Sequence, residues 1–162
     1  DTLVNIVKTE EFEEIASNLY EDYHTTVPSI RQLQKRVAKA VKYRGWIKNF
    51  MGRVYEMGDA GSHKALNYLI QGSAADIFKQ KLMIALEELP HIRLITNVHD
   101  SVFFSIPREA YFEDMKRIVE IMEDVDMRAP IIFEPKISHG SWGDCIAVKP
   151  GQSIKEKWEL SK

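Results

Sequence analysis

The sequence predicts an α+β fold, and three observations carry that prediction. Helix-period apolar patterns fill two blocks before residue 45 and one long stretch from about 61 to 88. Two β-rich runs, HIRLITNV and VFFSI, are separated only by a tight break at His99-Asp100-Ser101. The order is helices, hairpin, helix, strand, strand, helix, strand, so neighbouring strands pair antiparallel.

The first helix spans residues 9 to 24, with Thr9 as N-cap and Glu10, Glu11 and Glu13 near the positive end of its dipole. Phe12, Ile15, Ala16, Leu19 and Tyr23 form its apolar face. Pro28 can open a second helix, with Thr25 or Thr26 as possible caps; Ile30, Leu33, Val37 and Val41 are its apolar side and Gly45 ends it. WIKNFMGRVYEM, 46–57, reads as a short hairpin turning near Asn49–Gly52. Pro90 closes the long helix. In the strand that follows, Leu94, Thr96 and Val98 alternate with Ile95, Asn97 and His99. Pro107 opens a helix of about 17 residues whose apolar side is Tyr111, Met115, Ile118, Val119 and Met122. IIFEPKI is the last expected strand, followed by a Gly-Ser-Trp-Gly turn and a polar tail expected to be loosely held.

At 162 residues, 44% hydrophobic and 28% charged, the chain can bury the core of one soluble globular domain. Its net charge of −2, from 22 basic and 24 acidic residues, announces neither nucleic acid nor membrane in bulk. A lone cysteine, Cys145, excludes an internal disulfide framework and a multi-cysteine zinc site, and suits a reducing compartment. No charged-then-apolar leader and no run of about 18 apolar residues is present, so no membrane partner is expected. The chain starts at Asp1 without a methionine, which suggests a processed or truncated product.

The charge is segregated. No Asp or Glu occurs between Tyr23 and Tyr55, a stretch that holds eight basic residues. On the second helix Arg31, Lys35, Lys39 and Lys42 fall at spacings of four, four and three and project from one face. Such a row can track a phosphate backbone. The plainer alternative is a solvated face, although those usually mix signs and this one has no acid at helical spacing.

In the long helix, His63, Asn67 and Gln71 interrupt an apolar pattern at i, i+4 and i+8, followed by the small residues Gly72, Ser73, Ala74 and Ala75, which would let another backbone approach. The polar three either join an internal network or an exposed polar face, or offer donors to a ligand lying along the helix. Duplex nucleic acid suits the second case, because every base pair presents minor-groove acceptors. Asp100 at the tip of the later hairpin is placed to hold a hard divalent cation, though aspartate in a turn is common for local reasons.

Taken together these segments are more specific. Ala65-Leu66-Asn67 with Gln71-Gly72-Ser73-Ala74-Ala75-Asp76, then Asn97-Val98-His99-Asp100, resembles the palm of family A DNA polymerases. Gly52-Arg53-Val54-Tyr55 is similar to that family's Gly-Arg-Arg-x-Tyr hairpin, and Ser141-Trp142-Gly143 to its closing Asn-Trp turn. The likeness runs from about Glu10 to Trp142. It implies an antiparallel palm-type sheet whose motif C hairpin packs against long helices. It divides the chain into the end of the fingers with the basic helix and hairpin (1–57), the palm core (58–148) and a tail (149–162).

The resemblance also implies roles. Asp100 would be one of two aspartates coordinating Mg2+ in a two-metal site, and His99 would lie against the primer 3′ end. Asn67, Gln71 and His63 would meet the primer-template duplex near the growing end, and Arg53, Arg31, Lys35, Lys39 and Lys42 its backbone. The sequence departs from the family at Ser101, where an acid is expected, and at His63, where Arg is common. Single-subunit RNA polymerases share this palm and often read His-Asp-Ser, whereas QGSAAD is the DNA-polymerase form. The family's other metal-binding aspartate (motif A) and the fingers helix that takes dNTPs have no counterpart between Asp1 and Lys162. Catalysis is therefore expected to require a preceding polymerase portion or a partner chain, in the cytoplasm of a bacterial or phage-infected cell or in an organelle. The rival classes are a non-catalytic duplex-binding subunit and, more remotely, a metal-dependent phosphohydrolase.

Overall fold

The computed structural model describes residues 10–58, 61–149 and 151–160, apart from the side chains of Glu10, Glu11 and His63. The expected Thr9 cap and the side chain of His63 lie outside that description. Two compact units divide between Ser73 and Ala74.

In the first unit, helix α1 covers Glu10–Thr26 and α2 covers Pro28–Arg44. Pro28 starts α2, and Gly45, at φ 74, ends it by donating its N–H to the Val41 carbonyl at 2.8 Å. That left-handed cap is the conformation glycine adopts without steric cost. Strands β1 (Trp46–Lys48) and β2 (Val54–Glu56) pair antiparallel, with Ile47 opposite Tyr55. Helix α3 (Ser62–Glu88) begins in this unit. The core gathers Val37 and Val41 of α2, Ile47 of β1 and Ala65 of α3, with Tyr55, Met57, Leu66 and Leu69 around them.

The apolar face of α1 is not part of this core. Phe12, Ile15, Leu19 and Tyr23 are all exposed, Leu19 at 64%, and among the side chains of α1 described only His24 is buried. The helix meets α2 through other positions, including the Glu21–Arg31 pair. A sequence period marks an apolar face but does not say which polypeptide covers it.

In the second unit, the rest of α3 packs with β3 (Arg93–Val98), β4 (Ser101–Ser105) and α4 (Tyr111–Glu123). Phe78 and Leu82 of α3, Ile92, and Ile118 and Met122 of α4 form the core, and Leu94, Val102 and Phe104 of the hairpin close over it. The hairpin thus packs against helices, as expected. Helix α4 is shorter than the sequence suggests. Residues from Pro107 make a turn first, with Ala110 N–H donating to the Pro107 carbonyl at 3.1 Å.

The last expected strand also shrinks. Only β5 (Lys136–Ile137) is strand, because Pro135 has no N–H for a ladder and the Phe133 N–H goes to the Glu123 carboxylate at 2.8 Å. Its partner is β6 (Ile146–Ala147), after a 3-10 turn at Trp142–Asp144. Helix α5 (Ile154–Leu160) follows where a loosely held tail was expected. Among the described residues the strands form three separate two-stranded antiparallel ribbons rather than one continuous sheet. The fold is α+β.

Candidate functional site

The β1–β2 hairpin is pinned to α3 next to the polar stripe. The buried Asn49 accepts the Arg53 N–H on its Oδ1 at 2.9 Å and points its Nδ2 at the Tyr55 hydroxyl, 3.4 Å away. The Phe50 N–H donates to Ser73 Oγ at 3.0 Å, and that hydroxyl donates in turn to the Leu69 carbonyl. The Tyr55 hydroxyl lies over Gly72, where an added Cβ would stand only 2.3 Å from it. The small residues therefore admit both a tyrosine side chain, over Gly72, and, at Ser73, the backbone of the hairpin turn, as expected from composition. This sets Arg53 at the end of a turn that docks on α3 one and two residues beyond Gln71.

Asn67 and Gln71 are exposed, and neither side chain has a hydrogen-bond partner in the described structure. That removes the internal-network alternative for these two and leaves their donors available to solvent or a ligand. Tyr68 and Ile70, also exposed, flank them.

The basic comb is only partly free. Lys35, Lys39 and Lys42 are exposed, with Lys39 Nζ 5.8 Å from the centroid of Tyr43. Arg31 differs: its guanidinium donates to Glu21 Oε1 at 2.9 Å and sits 5.8 Å from the Tyr20 centroid. This hydrogen bond and charge hold the Glu21 carboxyl below the ordinary range and raise Arg31. Sequence spacing missed the partner because it comes from the neighbouring helix, ten positions away.

In the second unit, Val98 pairs with Ser101, so His99 and Asp100 alone make the connection between β3 and β4. His99 has φ 55, a left-handed conformation that non-glycine residues adopt uncommonly and histidine more readily than most. Asp100 is exposed at the tip and has no hydrogen-bond or ion-pair partner among the described residues.

A bulge between Leu94 and Thr96 resets the alternation of β3. Leu94 pairs with Phe104 and Asn97 with Val102 on the core side, while Thr96 pairs with Phe103 and Val98 with Ser101 on the other. The simple alternation that groups Leu94, Thr96 and Val98 is thereby corrected. On the outer side, Phe103 meets the Trp142 ring edge-on at 4.5 Å. No sequence signal joined those two aromatics.

The donor set fits a hard cation with most of its shell supplied from elsewhere. Asp100 offers unengaged carboxylate oxygens, and magnesium takes one or two protein carboxylates and keeps several waters. No group of three His, Cys, Asp or Glu side chains close enough to enclose a metal occurs among the described residues. Asp100 can therefore be one ligand of a shared site, not a complete site. No helix among the described residues is long and apolar enough to cross a membrane.

Comparison with known proteins places these features in context. The family model described as DNA polymerase family A matches residues 4–144. The DNA polymerase of Mycobacterium phage L5 is 29% identical over 134 residues, 80% of this chain and 22% of the phage protein. DNA polymerase I of Geobacillus stearothermophilus is 30% identical over 132 residues, 72% of this chain and 15% of that one. A solved structure, the POL domain of Pol1 from M. smegmatis in complex with DNA primer-template and dNTP, aligns with a TM-score of 0.68 at 24% identity, over 72% of this chain and 23% of that one. That alignment shows a shared fold. The chain spans about a fifth of the length of the phage polymerases it matches.

Proposed function

Because the chain belongs to DNA polymerase family A, we propose that it is the palm portion, with the end of the fingers, of an enzyme that adds deoxynucleotides to a primer 3′-hydroxyl under template direction. One observation carries the reading: Asn67, Gln71 and Asp100, which the family resemblance assigns to duplex and metal, are each exposed and without a side-chain partner among the described residues. Exposed and unengaged, their donors and acceptors stand available to a ligand. In this reading residues 1–57 carry the end of the fingers, 58–148 the palm core and 149–162 a tail.

Asn67 and Gln71 donate amide N–H groups to purine N3 and pyrimidine O2 in the minor groove, acceptors that every correct pair presents. They sense pairing without reading sequence. Arg53 and Lys35, Lys39 and Lys42 bind backbone phosphates, with Arg31 contributing less while it is held by Glu21, and His63 adds a further duplex contact. His99 lies against the primer end. Family membership implies a divalent metal, and Asp100 holds it, as Mg2+, together with an aspartate from motif A. When bound, the metal pair lowers the cost of ionising the 3′-hydroxyl and offsets charge on the triphosphate.

The motif A aspartate and the dNTP-binding fingers belong to a polymerase portion outside residues 1–162, joined covalently or supplied by a partner chain. The exposed side chains of Ile15 and Leu19 on α1 offer that portion an apolar seat. The bacterial and phage relatives suit a cytoplasmic setting. The test is reconstitution. The chain alone should not extend a primer, and the chain with its motif A portion should, in the presence of Mg2+ and dNTPs. Ile15→Glu with Leu19→Glu should weaken that assembly about 100-fold or more, since burying each such side chain is worth about 1.5–3 kcal/mol. Salt-dependent duplex binding without metal-dependent extension in any assembled form would instead make this a non-catalytic duplex-binding subunit.

A further inference from the structure

The strand and helix that close the chain lie past residue 144, where the family match ends. Their contacts are those of an anchored element. β6 extends β5 with Ile137 opposite Ile146, and the Val148 N–H donates to the Pro135 carbonyl at 2.8 Å. Ile137 and Val148 are both buried. Helix α5 then brings Trp158 between two rings. It stacks on Tyr111, the first residue of α4, at 4.3 Å and 15°, and meets His139 at 3.5 Å. The His139 Nε2 lies 3.2 Å from the Trp158 carbonyl, and Lys155 Nζ sits 4.7 Å from the Phe112 ring centroid.

These contacts lead toward the Asp100 hairpin. His139 precedes by three residues the exposed Trp142, whose turn is closed by Ser141 Oγ donating to Asp144 at 2.7 Å. Trp142 in turn covers Phe103 on the outer face of β4. The core face of the hairpin is held by Leu94, Val102 and Phe104. A two-stranded ribbon has no further strand paired along its edges and is marginal by itself, so its tip depends on side chains laid across its faces.

We propose that residues 145–160 form a strap that positions the Asp100 hairpin, with Trp158 as the positioning residue acting through His139 and Trp142. The consequence for catalysis rests on the polymerase reading; the strap itself does not.

The test is hydrogen exchange on the 162-residue chain, comparing the original with Trp158→Ala and Trp158→Phe. Trp158→Ala should speed exchange of the β3–β4 amides about 3- to 10-fold, the scale of one lost aromatic contact. The amides of Ile118–Met122 in α4 should not change, and Trp158→Phe should restore most of the hairpin protection. Unchanged hairpin exchange, with residues 145–160 exchanging freely, would overturn the proposal. So would an equal loss of protection in the hairpin and α4, which would make the strap a general stabiliser. The readout needs neither DNA nor metal, so a failure of the chain assembled with its motif A portion to extend primers would count against the polymerase reading and leave this result standing.

Discussion

Replacing Gly72 by Ala reads the docking of the hairpin on α3 through its sign. In the interior of a helix that substitution ordinarily stabilises by about 0.8–1 kcal/mol. Here the new Cβ would stand 2.3 Å from the Tyr55 hydroxyl and 3.0 Å from its Cζ. The tyrosine has to move, and overpacking of this kind costs about 1–3 kcal/mol. Its hydroxyl also leaves Asn49, now 3.4 Å away, and a lost hydrogen bond adds about 0.5–1.5 kcal/mol. The balance is a destabilisation of about 0.5–3.5 kcal/mol, read as a lower urea midpoint at unchanged slope. In a Tyr55→Leu background the obstructing ring is gone, and the same Gly72→Ala change should stabilise by up to about 1 kcal/mol. Stabilisation by Gly72→Ala in the original chain, or no change of sign between the two backgrounds, would refute the close approach.

Duplex binding should divide the comb. Alanine at Lys35, Lys39 and Lys42 together should lower the slope of log affinity against log salt by about 2–3, near 0.9 per phosphate contact, whereas Arg31→Ala should lower it by less than one contact; equal effects per residue would contradict the Glu21–Arg31 pairing. Acid should release two local contacts. The Arg31 hydrogen bond and charge hold the Glu21 carboxyl low, and hydrogen bonds from Ser141 do the same for Asp144. A depressed folded value means the contribution is complete above the ordinary carboxylate range and is lost as pH falls through the folded value. Glu21→Gln and Asp144→Asn should therefore flatten the decline of unfolding midpoint below about pH 4, and an unaltered acid limb would speak against both contacts.

The helices and turns were legible because their signals are local. Pro28, Gly45 and Pro90 mark real boundaries, and the two-residue break at His99-Asp100 was visible from its flanking strands. The exposure of Asn67 and Gln71 was one of the alternatives their spacing left open. What stayed hidden depends on partners distant in sequence. Glu21 comes to Arg31 from another helix, Tyr55 fills the space above Gly72, and Trp142 covers Phe103. The bulge at Ile95 leaves no mark in composition yet moves Asn97 to the side of Leu94. The apolar face of α1 was readable as a pattern, but the exposure of Ile15 and Leu19 was not. The tail looked polar because its anchoring rests on one ring, Trp158, meeting two others.

Primer extension by the assembled polymerase, original and Asp100→Ala, tests the central claim most directly. The account predicts that Mg2+-dependent extension is abolished while primer-template binding stays largely intact, because Asp100 serves the metal and the stripe and comb hold the duplex. Extension at the original rate by the Asp100→Ala enzyme would contradict it.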